Sequence, residues 1–139
     1  MAERGAASPD IVARLRAICA ALPETEEEPA WIGTRWRVRT KTIAHVVAIE
    51  AGWPTVYGRA FNATGPMTVL TFESSGEELD ALSNLGPPYY RPSWRRTVVG
   101  LSIDDDTDWT EVAELITESY RVLAPKSLIA RLSREDERS

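Results

Sequence analysis

Residues 34–49, TRWRVRTKTIAHVVAI, decide the fold of this chain because they predict two strands joined by a short polar link. Along Thr34–Thr40, small or apolar side chains alternate with basic ones, which is the pattern of a half-buried strand. Thr42–Ile49 is rich in β-branched residues and predicts the second strand. We therefore expect a hairpin. Its first strand has a basic face of Arg35, Arg37, Arg39 and Lys41, and its second has a face of Ile43, His45, Val47 and Ile49.

Amino-terminal to the hairpin, the sequence predicts one helix and one connector. Ser8 as the N-cap and Pro9 at the first helical position begin a helix that ends at Pro23. Cys19 lies on the apolar stripe of this helix, so we expect a buried, unreactive thiol. The acidic run Glu24–Glu28 reads as a solvated loop between the helix and the hairpin.

Carboxyl-terminal to the hairpin, strand and helix signals alternate. Met67–Phe72 and Thr97–Ile103 predict strands, and Gly100 would let another group approach the second of them closely. Ser75 and Glu78 match a capping box for a helix with the packing stripe Leu79, Leu82 and Leu85. Asp108 is the predicted N-cap of the next helix, with Glu111 three residues on, and a last short helix begins at Ala124-Pro125.

This order of elements predicts a two-layer α+β domain with a mainly antiparallel sheet backed by helices. We expect one domain over residues 8–132, with flexible termini at 1–7 and 133–139. The long segment Ala51–Pro66 holds Trp53, Tyr57 and Phe61 between turn signals. It predicts either a short strand at Thr55–Tyr57 or a loop folded over the sheet.

Composition limits the function classes. The net charge of −5 and the pI near 5.0 argue against tight non-specific binding to DNA or to acidic membranes, although residues 34–100 are locally more basic. Cys19 is the only cysteine, which fits a reducing compartment. The chain has neither an apolar run long enough to span a membrane nor a signal peptide, so we expect a cytoplasmic protein without a membrane partner.

We expect no enzymatic activity, cofactor or metal site. The chain has no glycine-rich phosphate loop, no metal-ligand spacing and no nucleophile motif. The aspartates of 104–108 fail the calcium-loop pattern because Trp109 and Leu115 stand at its sixth and twelfth positions. His45 is the only histidine, and we expect its ring to be packed with its nitrogens hydrogen-bonded.

The segment 87–96, PPYYRPSWRR, gathers aromatic, basic and proline residues before the last predicted strand. Prolines around tyrosines are typical of a turn that fastens a helix end to a strand. We therefore expect Tyr89 and Trp94 to be largely structural. Tyr90, Arg91 and Arg95 are the better candidates for surface contacts.

The chain resembles the MmcQ/YjbR family of small bacterial proteins from about Ile11 to Leu132. The resemblance rests on a combination of short motifs: Ala20-Ala21-Leu22-Pro23 followed by Glu26-Glu27-Glu28, Trp36-Arg37-Val38 with Lys41, Pro88-Tyr89-Tyr90, Trp94, and the closing helix Leu115–Leu123. Arg91-Pro92-Ser93 departs from the family, which commonly has an asparagine-lysine pair before the tryptophan. The resemblance implies a fold similar to type III secretion chaperones and brings a DNA-binding label, but no catalytic residues.

Two hypotheses remain for the function. One is a protein- or small-ligand-binding module that acts as a monomer or weak dimer. Its cleft would lie between the 51–66 loop and the sheet, with Arg91 or Arg95 available for a carboxylate or phosphate, and would be lined by Trp53, Tyr57, Phe61, Tyr89, Tyr90 and Trp94. The alternative is DNA binding through the basic strand face, with aromatic rings stacking on bases. The candidate binding residues are Arg35, Arg37, Arg39, Lys41, Tyr90, Arg91, Trp94 and Arg95.

Overall fold

The structure, a computed structural model, describes residues 5–63 and 65–138, with side chains through Arg134. Its strands are β1 (Thr25–Pro29), β2 (Thr34–Val38), β3 (Lys41–Ile49), β4 (Met67–Glu73), β5 (Tyr89–Tyr90) and β6 (Val98–Ile103). Its helices are α1 (Pro9–Ala20), α2 (Thr55–Ala60), α3 (Gly76–Ser83), α4 (Trp109–Leu123) and α5 (Lys126–Arg138).

The six strands form one antiparallel sheet in the order β1-β2-β3-β4-β6-β5. The predicted hairpin is confirmed as β2 and β3, with Arg35 opposite His45 and Trp36 opposite Ala44. The first strand is shorter than predicted, because Arg39 and Thr40 form the turn and Arg39 adopts a positive φ of 56°. The predicted α+β class, an antiparallel sheet backed by helices, is confirmed.

A bulge in β3 changes the direction of one predicted side chain. Trp36 pairs with Ala44 and Arg37 with Thr42, so Ile43 is an extra residue between the two pairs. Ile43 is fully buried in the same apolar cluster as Ala44. Val47 and Ile49 belong to the cluster on the other side of the sheet. The prediction that all three isoleucine and valine residues share the His45 face is therefore wrong for Ile43.

One face of the sheet carries the main core. Helices α1, α3, α4 and α5 cover it, and its largest buried side chains include Trp36, Phe72 and Tyr120. Ser8 caps α1 by accepting from the Ile11 amide, and Asp108 caps α4 by accepting from the Thr110 and Glu111 amides, as the sequence predicts. Cys19 is 1% exposed, and burial raises the pKa of its thiol to about 12.

The short helix α2 packs against the opposite face of the sheet. Its segment was predicted to fold over the sheet or to form a strand at Thr55–Tyr57, and the structure has a helix there, so the strand prediction is wrong. Phe61 follows this helix and is fully buried against Gly100 of β6, where an added Cβ would overlap with its ring. The close approach predicted at Gly100 is thereby confirmed. A second apolar cluster results, with Ile32, Val47, Ile49, Phe61 and Val69 at its centre.

The predicted acidic loop at Glu24–Glu28 is wrong, because most of that segment is strand β1. The pairing with β2 places Glu28 opposite Arg35 and Glu26 opposite Arg37, so opposite charges face each other across the strands. A strand of low intrinsic β-propensity therefore forms because its neighbour is basic. The pairing also creates an unpredicted β1–β2 loop from Ala30 to Gly33.

Two predictions for α3 also differ from the structure. Ser75 precedes α3 but makes no side-chain capping hydrogen bond, and Leu85 of the predicted stripe is 61% exposed beyond the end of the helix. At the termini, Ala7 is buried and the Gly5 carbonyl accepts from the Ala48 amide, while α5 continues through residues 133–138. Residues 1–4 and Ser139 lie outside the described residues. No helix in the described ranges combines the length and the apolar character that crossing a membrane requires.

Candidate functional site

An open groove lies on the side of the molecule that carries α2. It encloses about 360 Å³ between the β1–β2 loop and α2. We call it the aromatic groove, and its described lining residues are Trp31, Trp53, Pro54, Thr55, Val56, Tyr57 and Arg59. Arg59 is the only charged residue among them. The groove lining therefore carries a positive charge, whereas the chain as a whole has a net charge of −5.

Trp31 forms one wall of the aromatic groove and is 89% exposed. Its loop is nevertheless held firmly. Ile32 next to it is buried, and the Ala30 amide donates to the Gly33 carbonyl at 3.0 Å. Gly33 has a φ of 71°, and a Cβ there would collide with the Val46 carbonyl oxygen. A large apolar ring is therefore exposed to solvent on a loop whose conformation is restrained by the contacts of Ile32 and Gly33.

The other wall is the outer side of α2 and the residues before it. Val56 is 59% exposed, whereas Tyr57 turns inward and is half-buried. The Tyr57 ring lies 5.1 Å from the Trp94 ring in an edge contact and 6.4 Å from the Phe61 ring in a stacked one. Tyr57 thus joins the aromatic groove to Trp94, which is itself 44% exposed.

His45 of β3 contacts both walls of the aromatic groove. Its Nε2 lies 2.6 Å from the Ile32 carbonyl oxygen, and its Nδ1 lies 3.3 Å from the Tyr57 hydroxyl. A carbonyl only accepts, so Nε2 carries the proton and Nδ1 accepts from Tyr57. Burial lowers the pKa of His45, which favours this neutral form. The ring therefore has the hydrogen-bonded, packed environment predicted for it, and through Ile32 and Tyr57 it links both walls to β3.

The predicted basic strand face does not form as one open surface. Glu28 pairs with Arg35 and, at 3.0 Å, with Arg37, and these two guanidiniums lower the pKa of its carboxyl. Arg39 lies in the turn and contacts Glu24 at 3.4 Å. Lys41 pairs with Val38 in the register, so it belongs to the opposite side of the sheet from Arg35 and Arg37.

The division of segment 87–96 into buried and exposed residues differs from the prediction. Tyr89 is buried and donates to the Glu111 carboxylate, and desolvation followed by that bond raises the pKa of its hydroxyl. Its predicted structural position is confirmed. Trp94 was expected to be largely structural, and its exposure corrects that prediction. Tyr90 is half-buried, with its ring 5.0 Å from the Phe61 ring.

The two arginines of this segment are exposed but engaged. Arg91 donates to the Ser83 hydroxyl and to the Arg96 carbonyl, so it fastens the turn to α3. Arg95 is 57% exposed and lies 3.5 Å from the buried carboxylate of Glu73, which also accepts from the Thr97 hydroxyl. Among the eight candidates, Trp94 contacts the groove residue Tyr57, and Tyr90 contacts Phe61, whose ring stacks on Tyr57.

Sequence reasoning missed Trp31, Val56 and Arg59 as site residues. The signal for Trp31 was the complementarity of Glu26 and Glu28 with Arg35 and Arg37, which predicts a hairpin with Trp31 at its tip. No comparable pattern marks Val56 or Arg59.

Within the described residues, no group of three His, Cys, Asp or Glu side chains is arranged to hold a metal ion.

The chain matches the model of a known protein family. The model of the YjbR family matches residues 20–122, which covers the chain from the last turn of α1 to the end of α4. A search of curated proteins found no match.

Proposed function

We propose that this chain, which belongs to the YjbR family, is a non-enzymatic binding module whose ligand occupies the aromatic groove. The observation that carries this proposal is the exposure of Trp31 on a restrained loop. Exposing a tryptophan is costly in water, and tryptophans anchored at a surface are typical of binding hot spots. The groove volume of about 360 Å³ lies within the range of small-ligand sites and also suits a side chain from a protein partner.

A restrained loop favours binding because little conformational entropy is lost when the ligand arrives. Ile32 and Gly33 hold the Trp31 side of the groove, and the hydrogen bond from Tyr57 to His45 holds the other. Both walls are therefore in place before the ligand binds.

A thermal-shift screen of metabolites and peptides tests the proposal. We expect compounds that raise the melting temperature of the native protein and lose this effect in Trp31→Ala, with a smaller loss in Trp94→Ala. Val122→Ala is the matched control, since Val122 is 42% exposed on α4, away from the groove. Hits that persist unchanged in Trp31→Ala would contradict the proposal.

DNA binding through Arg35, Arg37 and Arg39 has less support. A phosphate at this surface would compete with Glu24 and Glu28 for each guanidinium. The net charge of −5 opposes the approach of any polyanion. The cytoplasm remains the compartment that we expect for the protein.

A further inference from the structure

We propose that the ligand of the aromatic groove is a segment of a protein partner in which acidic residues flank an apolar or aromatic side chain. This inference rests on the proposed function and specifies its partner. It depends on the shape of the exposed aromatic surface and on the charges beside it.

The aromatic surface is longer than the groove. Tyr57 lines the groove with Trp31 and also meets Trp94 at 5.1 Å, so exposed rings stand at both ends of one continuous surface. A compact metabolite would fill the groove and leave Trp94 uncovered. An extended segment with two apolar side chains would cover Trp31 and Trp94 together.

The charges along this surface favour an acidic segment. Arg59 is the charged residue of the groove lining, and Arg95 follows Trp94 with a side chain that is 57% exposed. The carboxylate beside Arg95 belongs to Glu73, which is buried and already accepts from Thr97, so the outer side of the guanidinium remains solvated. Guanidiniums bind carboxylates through paired, charge-assisted hydrogen bonds.

The contrast with the rest of the molecule strengthens the charge argument. The surface between α3 and α4 is strongly acidic, with Glu78, Asp108, Glu111, Glu114 and Glu118 around one depression. An acidic partner is repelled there and attracted to the arginines beside the groove. The distribution of charge therefore orients such a partner toward the α2 side of the sheet.

Three fluorescein-labelled decapeptides test the inference by fluorescence anisotropy. The first has two phenylalanines flanked by glutamates, the second has lysines in place of the glutamates, and the third has alanines in place of the phenylalanines. We expect the first to bind at least ten times more tightly than the other two and to weaken as salt rises. Trp31→Ala should abolish this binding.

Charge reversal separates the acidic preference from groove binding. Arg59→Glu should weaken the glutamate peptide at least fivefold and strengthen the lysine peptide, whereas Lys126→Glu makes the same change in net charge at the start of α5 and should leave both unchanged. Equal, Trp31-dependent binding of the glutamate and lysine peptides would overturn the acidic partner and keep the groove. If neither peptide binds but screened metabolites bind through Trp31, the protein partner is wrong. If no ligand of any kind depends on Trp31, the proposed function fails as well.

Discussion

His45 is neutral in the folded protein because its environment disfavours the imidazolium. Burial is the largest cause of its lowered pKa. The hydrogen bond to the Ile32 carbonyl opposes this shift, and the nearby Arg35 guanidinium adds a smaller lowering of the pKa. The unfolded ring has a pKa of about 6.5. Between the folded and unfolded pKa values the unfolded chain binds more protons, so acidification stabilises the unfolded state.

We expect the free energy of unfolding to fall as pH drops below about 6.5. In His45→Gln, this dependence should largely disappear between pH 6.5 and 5.5. His45 is the only histidine, so no other imidazole contributes to the slope. Urea unfolding at half-unit pH intervals measures the effect. An equally steep slope in the variant would show that His45 is not its source.

Phe61 and Gly100 form the second residue-scale prediction. Since a Cβ at Gly100 would overlap with the Phe61 ring, Gly100→Ala should destabilise the protein by about 1–3 kcal/mol through overpacking. Phe61→Leu leaves room for that methyl group. In the double variant the loss of stability should therefore be smaller than the sum of the two single losses.

Chemical denaturation of the four proteins measures this coupling. Gly65→Ala is the control, because nothing lies within 4 Å of a Cβ added there. Strictly additive losses in the double variant would mean that the two residues do not contact each other in solution.

The single-residue predictions that the structure confirms concern local chemistry. Gly100 in a β-branched strand indicates close approach, and a lone histidine among aliphatic residues indicates a packed ring. The direction of Ile43 could not be predicted, because a bulge depends on how two strands pair. The exposure of Trp94 likewise could not be predicted, because its ring contacts Tyr57 of α2, which lies outside the segment 87–96.

At the scale of elements, we expect α2 to open more readily than the other helices that pack on the sheet. It has six residues, and its N-cap residue Pro54 provides no side-chain capping hydrogen bond. Strands β3, β4 and β6 are central and hydrogen-bonded on both sides. Local opening of a short, peripheral helix requires less free energy than opening of the central sheet.

Hydrogen exchange followed by NMR should therefore show amides of α2 exchanging at least tenfold faster than those of β3 and β4. Saturating amounts of a ligand that binds the aromatic groove should slow the α2 amides selectively. Equal protection in α2 and β3 would contradict this order of local stability.

The elements with strong internal patterns could be predicted from the sequence: α1, β2, β3, β4, β6 and α4 all follow from hydrophobic periodicity and capping residues. Strand β1 was predicted as a loop because Thr25–Pro29 has no strand pattern of its own and depends on pairing with β2. The short β5 and α2 also depend on neighbours. Trp53 and Tyr57 of the groove were predicted to line a cleft, whereas the misassignment of β1 concealed the Trp31 side of the groove.

On the scale of the whole molecule, pairing of unlike charges lowers the affinity that the basic residues would otherwise have for nucleic acid. We expect the native protein not to be retained on duplex DNA at physiological salt. Glu24→Gln combined with Glu28→Gln should increase retention at low salt, because it releases Arg35, Arg37 and Arg39 from their partners.

The control for this experiment is Glu77→Gln with Glu114→Gln, which changes the net charge equally on the surfaces of α3 and α4. Binding by the native protein that falls steeply with salt and disappears in Arg37→Glu would contradict the expectation and restore the DNA hypothesis.

Strand β1 lies at one edge of the sheet, where main-chain groups are available to a strand from another molecule. Glu26, Glu27 and Glu28 occupy its centre, and Pro29 removes an amide donor at its end. A second sheet that approached this edge with its own β1 would bring carboxylates together. Charged residues and proline on edge strands protect proteins from aggregation. We therefore expect the glutamates of β1 to disfavour pairing between the sheet edges of two molecules, even at high protein concentration.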